Sequence, residues 1–171
     1  KNKLNLLGIT LVLFLLLSEN SITDDNFTFE STSIELVDNG NIIKAKNDVK
    51  IFTNNGLEIS SKQSTYSKIS KKLLLIGDVV IFDNKKNITI KSNNIEYNKI
   101  SEIIISKDKT LINIGDNFNL KTKNISFLKT KNIIQSDEKS ILEDNYKNVL
   151  ETNSFIYLIN NKEFKSKNLV I

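Results

Sequence analysis

Asp78-Val79-Val80-Ile81-Phe82-Asp83-Asn84-Lys85-Lys86-Asn87-Ile88-Thr89-Ile90-Lys91-Ser92-Asn93-Asn94-Ile95-Glu96-Tyr97-Asn98 reads as strand, polar break, strand. Ile88 and Ile90 alternate with Thr89 and Lys91, and Ile95 and Tyr97 flank Glu96. That two-residue period is the period of a pleated strand with one buried face. The phrase recurs. An acidic residue returns every 30 positions at Asp48, Asp78, Asp108 and Glu138. A second series, Leu36, Tyr66, Tyr97, Phe127 and Tyr157, returns at steps of 30, 31, 30 and 30. Self-similarity at a fixed period of about 20 to 50 residues marks stacked supersecondary units.

The alternation extends along the chain. Phe27 and Phe29 start it, and Ile34 with Leu36, Phe118 with Leu120 and Ile125 with Phe127 continue it. Ile, Val, Thr, Phe and Tyr dominate these runs, as suits a half-buried pleated surface. Turn signals separate them: Asn39-Gly40-Asn41, Asn54-Asn55-Gly56, and Gly-free polar breaks at 67–72, 83–87, 98–101 and 160–162. A turn falls twice per repeat. The expectation is an all-β, antiparallel architecture of ten or more strands, either two facing sheets or one sheet folded over. Such a stack leaves unpaired strands at both ends, which calls for caps or partners.

The N-terminus reads differently. Lys1-Asn2-Lys3 precedes fourteen apolar-rich residues, Leu4–Leu17. At about 1.5 Å per residue these span roughly 21 Å, short of a hydrocarbon core of about 30 Å. Residues 1–20 are therefore expected to be an export signal, with an uncleaved anchor as the alternative because Leu16 stands where cleavage favours a small residue. Residues 21–26 read as a linker and 27–171 as the repeat domain. The chain starts on Lys, lacks Met and ends in the apolar run Leu169-Val170-Ile171, so it reads as a fragment cut inside a strand.

Composition excludes several chemistries. There is no Cys and no His, hence no thiolate nucleophile, thiol metal site or imidazole base. The chain carries a net charge of +4 with no Arg, its Lys scattered between Ile, Asn and Ser. That scatter reads as solvated strand faces, not as a nucleic-acid footprint. Evenly spaced acids make a poor metal or catalytic cluster; turn positions, with each carboxylate accepting backbone N–H groups, are the expectation. No cofactor and no metal are expected.

The run from Tyr66-Ser67-Lys68 through Leu73-Leu74-Leu75-Ile76-Gly77-Asp78-Val79 to Ile95-Glu96-Tyr97-Asn98 resembles the OstA-like repeats of lipopolysaccharide transport proteins. The resemblance covers Phe27 to Ile171, although Gly77 has no counterpart at Asn47 or Lys107. It implies an open, twisted β-jellyroll that is not an enzyme. Such a domain carries the acyl chains of lipopolysaccharide through the periplasm in an apolar groove and pairs edge to edge with like domains. An export signal followed by a strand cut short fits best the periplasmic N-terminal domain of the outer-membrane assembly member, which would put the outer membrane among the partners. The groove candidates are Ile43, Val49, Ile51, Ile59, Leu75, Val79, Ile81, Ile90, Ile95, Ile105, Leu120 and Ile125. The plainer reading of each is sandwich core. Tyr66, Tyr97, Phe127 and Tyr157 read as a structural ladder, and Lys71, Lys72 and Lys91 as candidate phosphate contacts. The competing function is an adhesive surface solenoid that binds protein or glycan.

Overall fold

The computed structural model describes residues 20–24, 27–115, 118–166 and 169–170. Residues 1–19, where the export signal is expected, lie outside the described residues. The rest form one antiparallel sheet of 17 strands. In chain order these are β1 (Asn20–Asp24), β2 (Phe27–Ser31), β3 (Ser33–Val37), β4 (Ile42–Thr53), β5 (Leu57–Ser67), β6 (Lys72–Asp83), β7 (Ile88–Asn98), β8 (Ile103–Ser106) and β9 (Thr110–Ile114). They continue as β10 (Phe118–Thr122), β11 (Ile125–Leu128), β12 (Ile133–Ser136), β13 (Ser140–Asp144), β14 (Val149–Thr152), β15 (Phe155–Leu158), β16 (Glu163–Ser166) and β17 (Leu169–Val170). Part of the segment expected as a linker is strand: β1 pairs with β2.

Four long strands, β4 to β7, bend at mid-length. Their pairing slips between Lys46 and Val49, between Ser60 and Gln63, and between Ile76 and Val79. Asn47, Asp48, Gly77 and Asp78 take left-handed backbone angles there, with φ of 61°, 50°, 80° and 46°. Paired bulges of this kind bend a strand and increase its twist. Beyond β7 the two halves separate. One half of β7 pairs with β8 and the other with β9. From there β8, β11, β12, β15 and β16 continue one ladder, and β9, β10, β13, β14 and β17 the other. The sheet is thus folded over along a crease into two layers. β3 belongs to the first layer with β8, and β1 and β2 to the second with β9.

The fold-over buries the apolar face that each layer would otherwise leave in water. Leu73 and Leu75 of the first layer and Val79 and Ile81 of the second are all within 1% of complete burial. Leu74 and Ile76, the alternate set, face outward and stay partly exposed.

Serine and threonine follow the crease. Ser31, Ser61, Ser106, Thr110, Thr122, Ser136, Ser140 and Thr152 are buried there. Their hydroxyls pair with each other and with carbonyls that the bend withdraws from the ladder. Ser92 lies 2.8 Å from Ser106, Thr110 donates to Ser106 at 2.9 Å, Thr122 meets Ser140 at 2.7 Å, and Ser136 donates to the Lys123 carbonyl at 2.6 Å. A buried polar atom left unpaired is costly, so these short side chains allow the backbone to turn without loss.

Two expectations are corrected here. The recurring acids lie at the crease, not in the hairpin turns, and three of them bind side chains. Asp78 pairs with Lys62 at 2.6 Å, Asp108 accepts the Asn94 amide at 2.6 Å, and Glu138 accepts the Asn124 amide at 2.8 Å. Asp is among the few residues that tolerate the left-handed conformation a bulge requires. Ile105 is the second correction: it points outward, and Ile104 takes the core position. The acidic series steps by 30 residues, which puts Ile105 in phase with Leu75. The strands step by 31 there, because the turn after Thr53 has three residues (54–56) and its successor after Asp83 has four (84–87).

Thr122→Val tests the crease. It should lower unfolding free energy by about 1–2 kcal/mol, read from urea denaturation. Ser64→Ala should be near neutral, because the buried Ser64 hydroxyl has no hydrogen-bond partner among the described residues.

Candidate functional site

Eleven of the twelve groove candidates lie on the inward faces and are buried. The first layer holds Ile43, Leu75, Ile95 and Ile125, and the second Val49, Ile51, Ile59, Val79, Ile81, Ile90 and Leu120. A single cross-strand row of the first layer runs Ile43, Tyr66, Leu73, Tyr97, Ile104, Phe127, Ile134, Tyr157 and Phe164. Aromatic and aliphatic residues alternate along it from Ile43 to Tyr157, so Tyr66, Tyr97 and Phe127 each lie between two branched neighbours, and Phe164 ends the row beside Tyr157. Phe27 of the second layer packs against this row, 4.8 Å from the Tyr66 ring and 6.2 Å from that of Tyr97.

The interior of the middle repeats is filled by these side chains. Packing loosens toward the ends. Leu142 and Phe164 are only partly buried against the core, and Val149 is exposed. At the other end Leu36, paired with Ile43 on the inward side, is 53% exposed.

Opposite the crease, the turns of the two layers meet along a rim. Their contacts are polar and recur with nearly constant spacing. Lys129 Nζ donates to Asp83 Oδ2 at 2.6 Å, 46 residues away. Lys86 Nζ donates to Asn132 Oδ1, again 46 residues away. Asn55 Nδ2 donates to Glu102 Oε1 at 2.8 Å, 47 residues away, and to Tyr97 Oη at 3.2 Å. The Asp83 and Lys129 side chains are 1% and 4% exposed. Asp83 ends β6 on the inward face, and Lys129 opens the 3-10 turn Lys129–Lys131 that follows β11. Their bond therefore clasps one layer to the other. No sequence pattern pointed to it, since the partners belong to different repeats and neither is part of the acidic series.

A cavity of about 330 Å³ adjoins the Asn55–Glu102 contact, lined by Phe27, Thr53, Asn54, Asn55, Lys85, Tyr97, Lys99 and Glu102. Lys99 Nζ lies 5.5 Å over the Phe27 ring, within cation–π range. Burial pushes the Tyr97 phenol above its ordinary 10.0; the Asn55 hydrogen bond opposes this, and the Glu102 and Asp83 charges add to it. Burial raises Tyr157 likewise. Among the described residues no group of three carboxylates is placed to hold a metal ion. The three lysines proposed from sequence do not converge: Lys72 is tied to Glu96 at 2.8 Å, and Lys91 lies on the outer face of the second layer, opposite Val80.

Comparison with known proteins gives three results. A family model described as lipopolysaccharide-assembly, LptC-related, matches residues 23–135. No curated protein sequence matches the chain. Among solved structures, LptH of Pseudomonas aeruginosa, described as the LptA-homologous periplasmic component of the lipopolysaccharide transport device, is 10% identical. That alignment covers 85% of this chain and 94% of LptH, with a TM-score of 0.33.

Two measurements probe the rim. Asp83→Asn leaves the Lys129 ammonium buried without its counter-charge and should cost roughly 3–5 kcal/mol, whereas Asp83→Leu with Lys129→Leu should recover most of that loss. The second concerns alkaline pH. The raised Tyr97 phenol contributes stability that is complete below the unfolded value of 10.0 and is lost as pH rises through the higher folded value. Denaturation series from pH 8 to 11.5 should therefore show a steeper alkaline decline for the native chain than for Tyr97→Phe.

Proposed function

Because the chain belongs to the lipopolysaccharide-assembly, LptC-related family, we propose that it is a non-enzymatic carrier module of lipopolysaccharide export, working in the periplasm and holding lipid acyl chains between its layers. The observation that carries this reading is the asymmetry between crease and rim. At the crease the layers are continuous through β4 to β7. At the rim, the cross-layer hydrogen bonds are side-chain contacts such as Asp83–Lys129 and Asn55–Glu102. The layers can part along one side only, like a book opening from its spine.

Parting uncovers two facing apolar surfaces, and acyl chains take the place of the lost contacts. Each buried methylene is worth about 0.8 kcal/mol, so several chains of ten or more carbons supply well over ten kcal/mol before ordering costs. Breaking one buried ion pair and a few amide contacts is smaller than that. The repeat gives every step along the interior similar walls, so no position is a deep trap. No step breaks a covalent bond, and no catalyst is required.

Both ends of the sheet offer strand edges for continuing the path. β1 and β3 border one end, and β16 and β17 the other. A like domain adding its own edge strand would prolong both layers and cover the half-buried Leu142 and Phe164.

Photo-crosslinkers placed at Ile81 and Ile95 should form adducts with lipopolysaccharide, and one at the outward Phe82 should not. Joining Asn55→Cys to Glu102→Cys with a short thiol crosslinker should abolish the inward adducts. Absence of adducts at every inward position, or their persistence in the locked protein, refutes carriage between the layers.

A further inference from the structure

Two turns of the first layer end in an exposed isoleucine. Ile69 is 74% exposed and Ile100 76%. They hold the same place in successive hairpins, Ser67-Lys68-Ile69-Ser70-Lys71 and Asn98-Lys99-Ile100-Ser101-Glu102. The turns lie side by side: Lys72 pairs with Asn98, and the Lys99 N–H donates to the Lys71 carbonyl at 2.9 Å. Nothing in turn geometry asks for an apolar tip. The equivalent places in the next two hairpins hold Thr130 and Asn160.

The rim around these tips is basic. The turns 68–71, 84–87, 99–102 and 129–132 carry Lys68, Lys71, Lys85, Lys86, Lys99, Lys129 and Lys131; of these Lys129 is bound by Asp83, Lys86 donates to Asn132 and Lys99 lies over the Phe27 ring. The same four turns hold one acid, Glu102, whose carboxylate accepts the Asn55 amide. The whole chain has 24 lysines against 20 acids, so placement, not composition, makes this edge cationic.

We propose that this rim is a membrane-docking edge: Ile69 and Ile100 enter the headgroup region of a bilayer that contains anionic lipid, and the surrounding lysines face its phosphates. Apolar tips ringed by lysine match the layering of such a surface, charge outside and hydrocarbon beneath. A single-stranded nucleic acid would satisfy the lysines but gives the two isoleucines nothing to enter, and single-strand binding relies on aromatic platforms that these turns lack. Docked in this way, the Phe27–Tyr97 cavity and the Asp83–Lys129 clasp lie at the lipid surface. The inference goes beyond lipopolysaccharide carriage and stands without it, because the bilayer need contain no lipopolysaccharide.

The chain has no cysteine, so one introduced thiol reports from one place. Ile100→Cys, labelled with a polarity-sensitive fluorophore, should shift to the blue on vesicles of phosphatidylethanolamine and phosphatidylglycerol, and not on phosphatidylcholine alone. The same label at Glu58→Cys, on the outer face of the second layer, should not shift. In co-sedimentation with the anionic vesicles, Ile69→Ser with Ile100→Ser should lower partitioning about tenfold, and Ile69→Leu with Ile100→Leu should preserve it. An unshifted label at position 100, or a serine double variant that partitions like the parent, overturns the proposal. Binding to a single-stranded oligonucleotide without any vesicle-induced shift also overturns it and assigns the rim to nucleic acid.

Discussion

The crease is the constraint on which the rest of the structure depends. A sheet with one apolar face must cover that face, and here no helix or second domain does so among the described residues. The sheet covers itself instead. That requires every long strand to bend in the same row, and a bend removes backbone groups from the ladder. Left-handed Asn47, Asp48, Gly77 and Asp78 supply the bend, and the serine and threonine row satisfies the groups it frees. Gly77 shows how tight the corner is. A Cβ on it would meet the Lys62 side chain at 3.0 Å, on a backbone with φ of +80° that side-chain-bearing residues rarely adopt. Asn47 and Asp48 manage the preceding bend without glycine, so the repeat retains its shape while varying its residues.

Period and turn chemistry made the strands legible, because both are local. Alternation placed Ile88 with Ile90, and Ile95 with Tyr97, and the structure buries all four, the crease between the two pairs resetting the phase. Features that depend on two distant segments were not legible. Ile105 was misplaced by one residue's difference between two turns, and a strand that slips by one residue turns its whole set of side chains over. The Asp83–Lys129 bond joins residues 46 apart in the sequence, across a gap that no strand pattern describes. Leu73-Leu74-Leu75-Ile76 is apolar at every position, so alternation carries no signal there; only the pairing of Leu73 with Tyr66 and Tyr97 decides which set points inward. The crease hydroxyls did repeat, at Ser61, Ser92, Thr122 and Thr152. Ser and Thr in a strand read as outward polar positions unless the fold-over is already known.

A carrier of apolar cargo faces opposing demands. Its inner walls have to be apolar enough to hold the cargo, and without cargo those walls must not be left in water. Under the carriage proposed above, this chain would meet both by letting the walls pack on each other, so that the cargo-free state looks like an ordinary core. The rim contacts then decide how readily the walls part. An apolar rim would add to the closing force with every residue. A rim of ion pairs and amides contributes little net stability while closed, and it fixes which side chains meet.

The repeat imposes a further consequence at the two ends. The Asn55–Glu102, Asp83–Lys129 and Lys86–Asn132 contacts each join the second layer to a first-layer turn 46 or 47 residues later. Among the described residues, the turn after Asp144 shows contacts within itself only. Asp144 is satisfied within its own turn by Asn148 and the Tyr146 N–H, and the Tyr146 ring is 86% exposed. At the opposite end, Leu36 beside the 38–41 turn of the first layer is exposed. A folded-over sheet built on a staggered clasp cannot complete its own last clasp at either end, whatever its length. More repeats only move the incomplete turn along. Under the end-to-end docking proposed above, a neighbour with the same stagger would complete both ends, and the offset that closes the middle of the molecule would make those ends complementary.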